Sequence, residues 1–303
     1  MKRRVVITGL GCVSPLGNTA RDSWESAAAG RSGIGRITRF DPTPFRSHMA
    51  GEVKNFDPTG VLTKTEIATL DRFAQYALVA AIEAVGDAGV EVTDALTPRA
   101  GVALGVGLGG LASIERFHAL RWEHGPGALP SHAMHAVLGQ SAADHIAARF
   151  RLGGYSVSTS SACSSSNHAI GNAARLIERG DATVMLAGGT EATVTPLGIG
   201  GFAAMHALST RNDDPARASR PYDAERDGFV LGEGAAVLVL EEQEHALARG
   251  ARIYAELAGY GYSGDAFHMT TPSMDGPYRA MTMALRDAQA NPEDVDYVNT
   301  HGT

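Results

Sequence analysis

The stretch SSACSSSNHAIGNAARLIERG, residues 160–180, decides how this chain is read. Tyr155–Ser158 just before it has strand character, the small residues around Cys163 form a junction, and the helical segment that follows is closed by Gly180. Thr183–Ala187 then returns to strand after a minimal connection. Strand, tight junction, helix and strand make one unit of a layered α/β protein.

The alternation continues outward from this unit. Arg4–Leu10 reads as a buried strand closed by Gly9 and Gly11, with Asn18 as N-cap of a helix that Gly30 ends. Residues 33–60 are irregular, punctuated by Pro42, Pro44 and Pro58. Asp71–Ala88, stopped by Gly89, is the clearest helix, and its wide apolar face predicts a position between layers. Ala100–Val106 is a strand leading into GVGLGG and two further helical segments. Residues 189–234 are rich in glycine and weak in periodicity, so they read as long functional loops. A strand at 235–241, a helix to Gly250, a strand at 252–258, a helix near 277–290 and a buried strand at Val295–Val298 complete the pattern. It predicts α/β layers with mainly parallel pairing, no short repeat and no linker between independent domains.

With 303 residues, 44% apolar and 19% charged, the chain can bury a large core. A formal net charge of −7 argues against broad binding to nucleic acid, and no apolar run reaches membrane-spanning length. The opening MKRRVVITGLG is too short in apolar residues for a signal peptide. Only Cys12 and Cys163 occur, which excludes a disulfide framework and points to reducing cytoplasm.

Cys163 sits where a strand gives way to a helix N-terminus. Partial positive charge there favours thiolate, and free N–H groups can face an oxyanion on a thioester. From the junction alone, a nucleophile and a buried structural cysteine both fit. Cys12, in a glycine turn, reads as structural. Gly105–Gly110 fits the dinucleotide fingerprint, yet no acidic residue ends a strand some 20 residues on, so close backbone approach is the simpler reading. His118, His124, His132, His135 and His145 show no metal-ligand spacing and read as helix surface; no metal is expected.

SSACSSSNHAIG together with GGTEA at 188–192 resembles the β-ketoacyl-acyl-carrier-protein synthases, condensing enzymes of the thiolase-like fold, and most of all the elongating type II synthase of fatty acid synthesis. VVITGLGCVSPLG, the 201–241 block, DAFHMTTP and the terminal VNTHGT support the likeness, which runs collinearly over the chain. The resemblance implies an αβαβα layered fold, with a complete N-terminal half at 1–250 and the start of a C-terminal half at 251–303. It implies that Cys163 takes an acyl group as a thioester, and that His301 faces a malonyl thioester during decarboxylative condensation. Leu108 and Phe202 would border the acyl channel, and Thr270 and Thr303 would hold a phosphopantetheine arm delivered by an acyl carrier protein. No cofactor would be resident, and a homodimer is expected.

The resemblance also places a second histidine, in a GHT-type motif with a lysine upstream, and a glycine-rich oxyanion loop beyond Thr303. On that reading the chain is a C-terminally truncated form with exposed apolar surface and poor malonyl decarboxylation. Relatives often carry a basic cluster before the long helix. TKTEIATLDR has only Lys64 and Arg72, so an acidic carrier protein would need Arg116, Arg121 or Arg211. A ketosynthase of type II polyketide synthesis, a biosynthetic thiolase and a non-catalytic dimerisation fragment are the alternatives; the 201–241 block favours the synthase over the thiolase.

Overall fold

Val5–Val13 (β1) runs as one strand straight through Gly9 and Gly11, where the sequence predicts its end. The computed structural model describes residues 2–268 and 270–303; Met269, inside the DAFHMTTP stretch, lies outside the described residues. The further strands are Gly35–Arg36 (β2), Met49–Ala50 (β3), Ala100–Gly105 (β4), Ser156–Thr159 (β5), Val184–Glu191 (β6), Gly234–Glu242 (β7) and Ala255–Glu256 (β8). The helices are Ala20–Ala28 (α1), Lys64–Thr69 (α2), Arg72–Ala88 (α3), Leu111–His124 (α4), Ala133–Val137 (α5), Gln140–Phe150 (α6), Ser165–Arg179 (α7), Pro196–Ala204 (α8), Gln243–Ala248 (α9) and Asp275–Ala288 (α10).

Six strands form one sheet in the order β5-β4-β6-β7-β1-β8, while β2 and β3 make a separate ribbon. β4 pairs in parallel with β5 and β6, whereas β6–β7, β7–β1 and β1–β8 are antiparallel. The sheet is therefore mixed, not mainly parallel. The excursion between Glu191 and Gly234 stays at one end of the sheet instead of crossing back over it, so β7 starts where β6 stops.

Both faces are covered, which is why the central strands read as unbroken apolar runs. Successive side chains alternate. Val102 and Leu104 face a core with Phe73, Ala77, Ala142 and Ile146 of α3 and α6. Ala103 joins Met185, Ala187 and Leu240 against Ala169, Ala173 and Ile177 of α7. The helix α3 starts at Asp71, whose carboxylate accepts from Phe73 N and Ser113 N, and ends at the left-handed Gly89.

Five local readings change. Thr19, not Asn18, caps α1, because the Thr19 hydroxyl takes Asp22 N at 3.0 Å while the Asn18 amide donates to Lys54 O and Asn55 O. Three helices rather than two lie between β4 and β5, and α8 occupies part of the stretch read as loop. The predicted 252–258 strand shortens to Ala255–Glu256, with Tyr254 N and Leu257 N donating to Ile7 O and Val5 O on either side. Val295–Val298 forms no strand: Tyr297 is 77% and Val298 59% exposed, and among the described residues no strand lies alongside to take its backbone hydrogen bonds.

One packing device occurs twice. A Cβ on Gly11 would lie 1.9 Å from Ala80 O, and one on Gly9 2.2 Å from Ala84 O, so β1 and α3 touch backbone to backbone. A Cβ on Gly261 would lie 2.0 Å from Ala280 O, and one on Gly259 2.5 Å from Ala284 O of α10. Asp87 Oδ2 accepts from Leu10 N and Asp287 Oδ2 from Tyr260 N, each at 2.9 Å. We expect Gly11→Ala to cost about 2–3 kcal/mol, since neither backbone can give way. A lowered urea midpoint with an unchanged slope is the readout.

Asp287 also ties α10 to the rest of the chain. Its oxygens accept from Arg175 Nη2 at 2.9 Å and Lys2 Nζ at 2.9 Å. Burial works to raise the Asp287 pKa, but these bonds outweigh it and pull it down to about 2. A depressed carboxylate stabilises the fold above its unfolded value, and that contribution disappears as pH falls from about 4 toward 2. We expect Asp287→Asn to lower stability at neutral pH by about 1 kcal/mol after solvent screening, with the gap to wild type closing below about pH 3. Urea melts of both proteins across that range test the sign.

Candidate active site

The junction predicted at Cys163 is a sharp turn. After β5 ends at Thr159, Ala162 adopts φ +51, the left-handed region unusual for alanine, and Ser164 is the N-cap of α7. Such a conformation costs about 1–3 kcal/mol and persists only where the surroundings enforce it. Here Ser165 Oγ takes Ser161 N at 2.9 Å and donates to Ala162 O at 2.6 Å, while Ser164 Oγ donates to Ser161 O at 2.8 Å. Ser161 Oγ and His168 Nδ1 lie 2.6 Å apart, one helical turn into α7. The turn presents Cys163 exposed, so it is not the buried structural cysteine that the junction alone allowed. Cys12 is half-buried, and burial pushes its thiol up.

The first turn of α7 can approach the sheet because β4 ends in glycine. A Cβ on Gly105 would sit 2.2 Å from Ser166 N. The helix N-terminus, with N–H groups that lack intrahelical partners, is therefore held at the carboxyl ends of the parallel strands.

Beside this turn runs the loop Gly107–Gly109. Glu191, at the end of β6, accepts from Leu108 N at 2.8 Å and Gly109 N at 3.1 Å. From the other side Ser160 Oγ donates to Gly107 O at 3.0 Å. Burial pushes the Glu191 carboxyl up, against the lowering effect of the backbone N–H groups of Leu108, Gly109, Gly107 and Ala192. The loop leaves the Leu108 side chain 53% exposed. The glycines of GVGLGG thus serve close backbone packing.

Phe202 lies on α8, half-buried, edge-on to Phe229 with ring centroids 5.5 Å apart. His301 is exposed, and the Gly302 beside it, at φ +62, packs against Pro221 and Tyr222. Thr303 lines a cleft of about 400 Å³ with His206, Ala224, Arg226, Asp227 and Gly228. Thr270 is exposed, its N–H donating to His268 Nδ1 at 3.2 Å. The structure joins the Leu108 loop to the Cys163 turn; no hydrogen bond among the described residues joins either to His301. Of the clustered histidines, His118 stacks on Trp122 and His132 meets Phe117 edge-on. Glu191, His168 and Phe229 were not singled out from the sequence. For Glu191 the available signal was a lone carboxylate ending an apolar, glycine-rich strand.

Residues 2–246 match the family described as beta-ketoacyl synthase, N-terminal domain, and residues 254–303 match its C-terminal domain. The chain is 50% identical over 304 residues to the 3-oxoacyl-[acyl-carrier-protein] synthase 2 of Vibrio harveyi, covering 100% of this chain and 73% of the relative. The protein of the same name from Coxiella burnetii is also 50% identical, with the same coverage. A crystal structure of a beta-ketoacyl synthase from Burkholderia phymatum superposes with a TM-score of 0.91 at 38% identity, covering 100% of this chain and 74% of that one. A type II PKS acyl-carrier protein in complex with its ketosynthase gives 0.90 at 36%, again covering 100% and 74%.

Proposed function

The chain belongs to the β-ketoacyl synthase family, and from that premise we propose that Cys163 is its acyl-accepting nucleophile in 3-oxoacyl-acyl-carrier-protein synthesis. The observation that carries this reading is the exposed Cys163 on an enforced turn at the head of α7. Its sulfur attacks the carbonyl of an acyl thioester; the new C–S bond forms as the phosphopantetheine thiolate leaves. A malonyl thioester then loses carbon dioxide, and its enolate carbon attacks the acyl group on Cys163. The cysteine sulfur departs, leaving a 3-oxoacyl chain two carbons longer. Helix N–H groups near Cys163 suit the oxyanions of both acyl transfers.

In this reading His301 faces the malonyl carbonyl, Thr270 and Thr303 hold the phosphopantetheine arm, and Leu108 and Phe202 border the acyl path. The arm belongs to the carrier protein, so no resident cofactor is needed. The exposed Arg116 and Arg121 of α4 offer the carrier protein positive charge, while Arg211 is engaged by Asp214 at 3.7 Å. Exposed Ile114, Trp122, Met134 and Leu138 on and beside α4 and α5 suit the expected homodimer. Two free cysteines fit a reducing cytoplasm, and no helix among the described residues is long and apolar enough to cross a membrane. The 50% identity to 3-oxoacyl synthases, against 36% to the polyketide ketosynthase, favours fatty acid over polyketide synthesis.

Incubation with acylated carrier protein, followed by intact-protein and peptide mass spectrometry, tests the assignment. We expect one acyl group per chain, on the peptide containing Cys163 and not on that containing Cys12. Acylation elsewhere, or none, overturns it.

A further inference from the structure

We infer that Glu191 is a positioning residue: by holding the backbone of the Gly107–Gly109 loop, it sets where Leu108 stands and so which acyl groups Cys163 accepts. The inference rests on the reading that Cys163 is acylated and that Leu108 borders the acyl path.

The loop is gripped from two sides. Glu191 takes the N–H groups of Leu108 and Gly109, and Ser160, three residues before the nucleophile, binds Gly107 O. Between these grips a Cβ on Gly107 would lie 2.9 Å from Glu191 Oε2 and 3.8 Å from Ala162 O, so the loop passes between the carboxylate and the nucleophile's turn. Leu108 leaves this clamp with its side chain 53% exposed, so no packed core fixes it and its place is set through its backbone. An ionised carboxylate suits this role because it only accepts, and the backbone N–H groups it meets are donors. Glutamine has the same shape but turns one of its two ends into a donor. That end would confront an N–H of Leu108 or Gly109, and the loop would lose one of the bonds that hold it in place.

The experiment measures the rate constant for Cys163 acylation by a short and a long straight-chain acyl-carrier protein, in wild type, Glu191→Gln, Glu191→Asp, Leu108→Ala and Glu191→Gln/Leu108→Ala. We expect Glu191→Gln to shift the long-to-short ratio about fivefold or more, and Glu191→Asp, which keeps both acceptors, to shift it less. Iodoacetamide, which needs no channel, should alkylate Cys163 in Glu191→Gln within about twofold of the wild-type rate. If Glu191 acts through Leu108, the ratio in Leu108→Ala will not move further when Glu191→Gln is added. Additive shifts, or an unchanged ratio, overturn the inference. So does a parallel loss for both acyl lengths and iodoacetamide, which would mark a structural role. Should Glu191→Gln fail to fold by thermal melt, the same cycle with Glu191→Asp decides. Wild-type protein that takes no acyl group on Cys163 defeats the functional reading itself, a different outcome from acylation with an unmoved ratio.

Discussion

Arg249→Met is expected to destabilise the fold by about 3–5 kcal/mol, because it strips the counter-charge from a carboxylate sealed in the protein. Glu241, on β7, has a fully buried side chain. Arg249 reaches it from just beyond α9 with Nε and Nη2, each at 2.7 Å, while Thr8 Oγ1 donates at 2.8 Å and His245 Nδ1 lies 2.6 Å away. Burial works to raise the Glu241 pKa, but the Arg249, Thr8 and His245 bonds outweigh it and leave it lowered. Arg249 Nη1 also donates to Ala88 O at 2.9 Å, so the same side chain satisfies a carbonyl at the C-terminal end of α3. The segment after α9, β7 and the end of α3 therefore lose a common fastening at once. A thermal melt should show a drop of roughly 6–12 °C. Two further outcomes separate charge from packing. In wild type the depressed carboxylate stabilises the fold above its ordinary pKa and loses that effect in acid. In Arg249→Met the buried carboxyl favours its protonated form, so the gap between the proteins should narrow as pH falls toward 5. The pair Glu241→Leu with Arg249→Met should be more stable than Arg249→Met alone, since no unpaired charge remains. A single variant within 1 °C of wild type would contradict the argument.

The sheet's core was legible in the chain because it follows local rules. Unbroken apolar runs at 100–106 and 183–187 marked strands covered on both faces, and Gly89 and Gly180 marked helix ends that the structure closes in the left-handed conformation. Cys163 was legible for the same reason: a strand, small residues and a helix follow one another within a few positions. What escaped depends on contacts between distant residues. The direction of β7 is set by where a long excursion ends, which no period records. Asn18 is as good an N-cap in isolation as Thr19, and only the carbonyls of Lys54 and Asn55 decide between them. The strand expected at Val295–Val298 has suitable residues, but a strand exists only where a neighbour accepts its hydrogen bonds.

The repeated glycine–alanine packing shows how a pattern can be written in the sequence and still go unread. Gly9 and Gly11 meet Ala80 and Ala84, and Gly259 and Gly261 meet Ala280 and Ala284. The paired residues lie far apart in the first case and close together in the second, so no fixed period connects them. The signature becomes visible only when each glycine is asked what its missing Cβ would strike. Glu191 was hidden in a similar way. Its partners are backbone N–H groups of a distant loop, which leave no trace in residue type except the glycine at 107 that makes room for the carboxylate.

Cys163→Ser should abolish acyl transfer, by at least about a thousandfold, while leaving the melting temperature within about 2 °C of wild type. The two side chains are close in size, and residue 163 is exposed on a turn whose hydrogen bonds run through Ser161, Ser164 and Ser165 rather than through its own side chain. Nothing structural is lost. The chemical difference is large: sulfur is intrinsically a far stronger nucleophile toward a thioester than oxygen, and a hydroxyl needs a general base. Among the described residues no hydrogen bond joins an imidazole to residue 163, and the imidazole closest in the chain, His168, meets Ser161 Oγ through Nδ1 at 2.6 Å. A serine at 163 therefore has the space to meet a thioester but no means of becoming an alkoxide. Single-turnover acylation, read as acyl mass on the protein, separates this from weakened binding: carrier-protein affinity should stay the same while the acylated fraction stays at background. Acylation of the serine variant within tenfold of wild type would mean that a base reaches position 163, and the argument from the nucleophilicity of sulfur would fail.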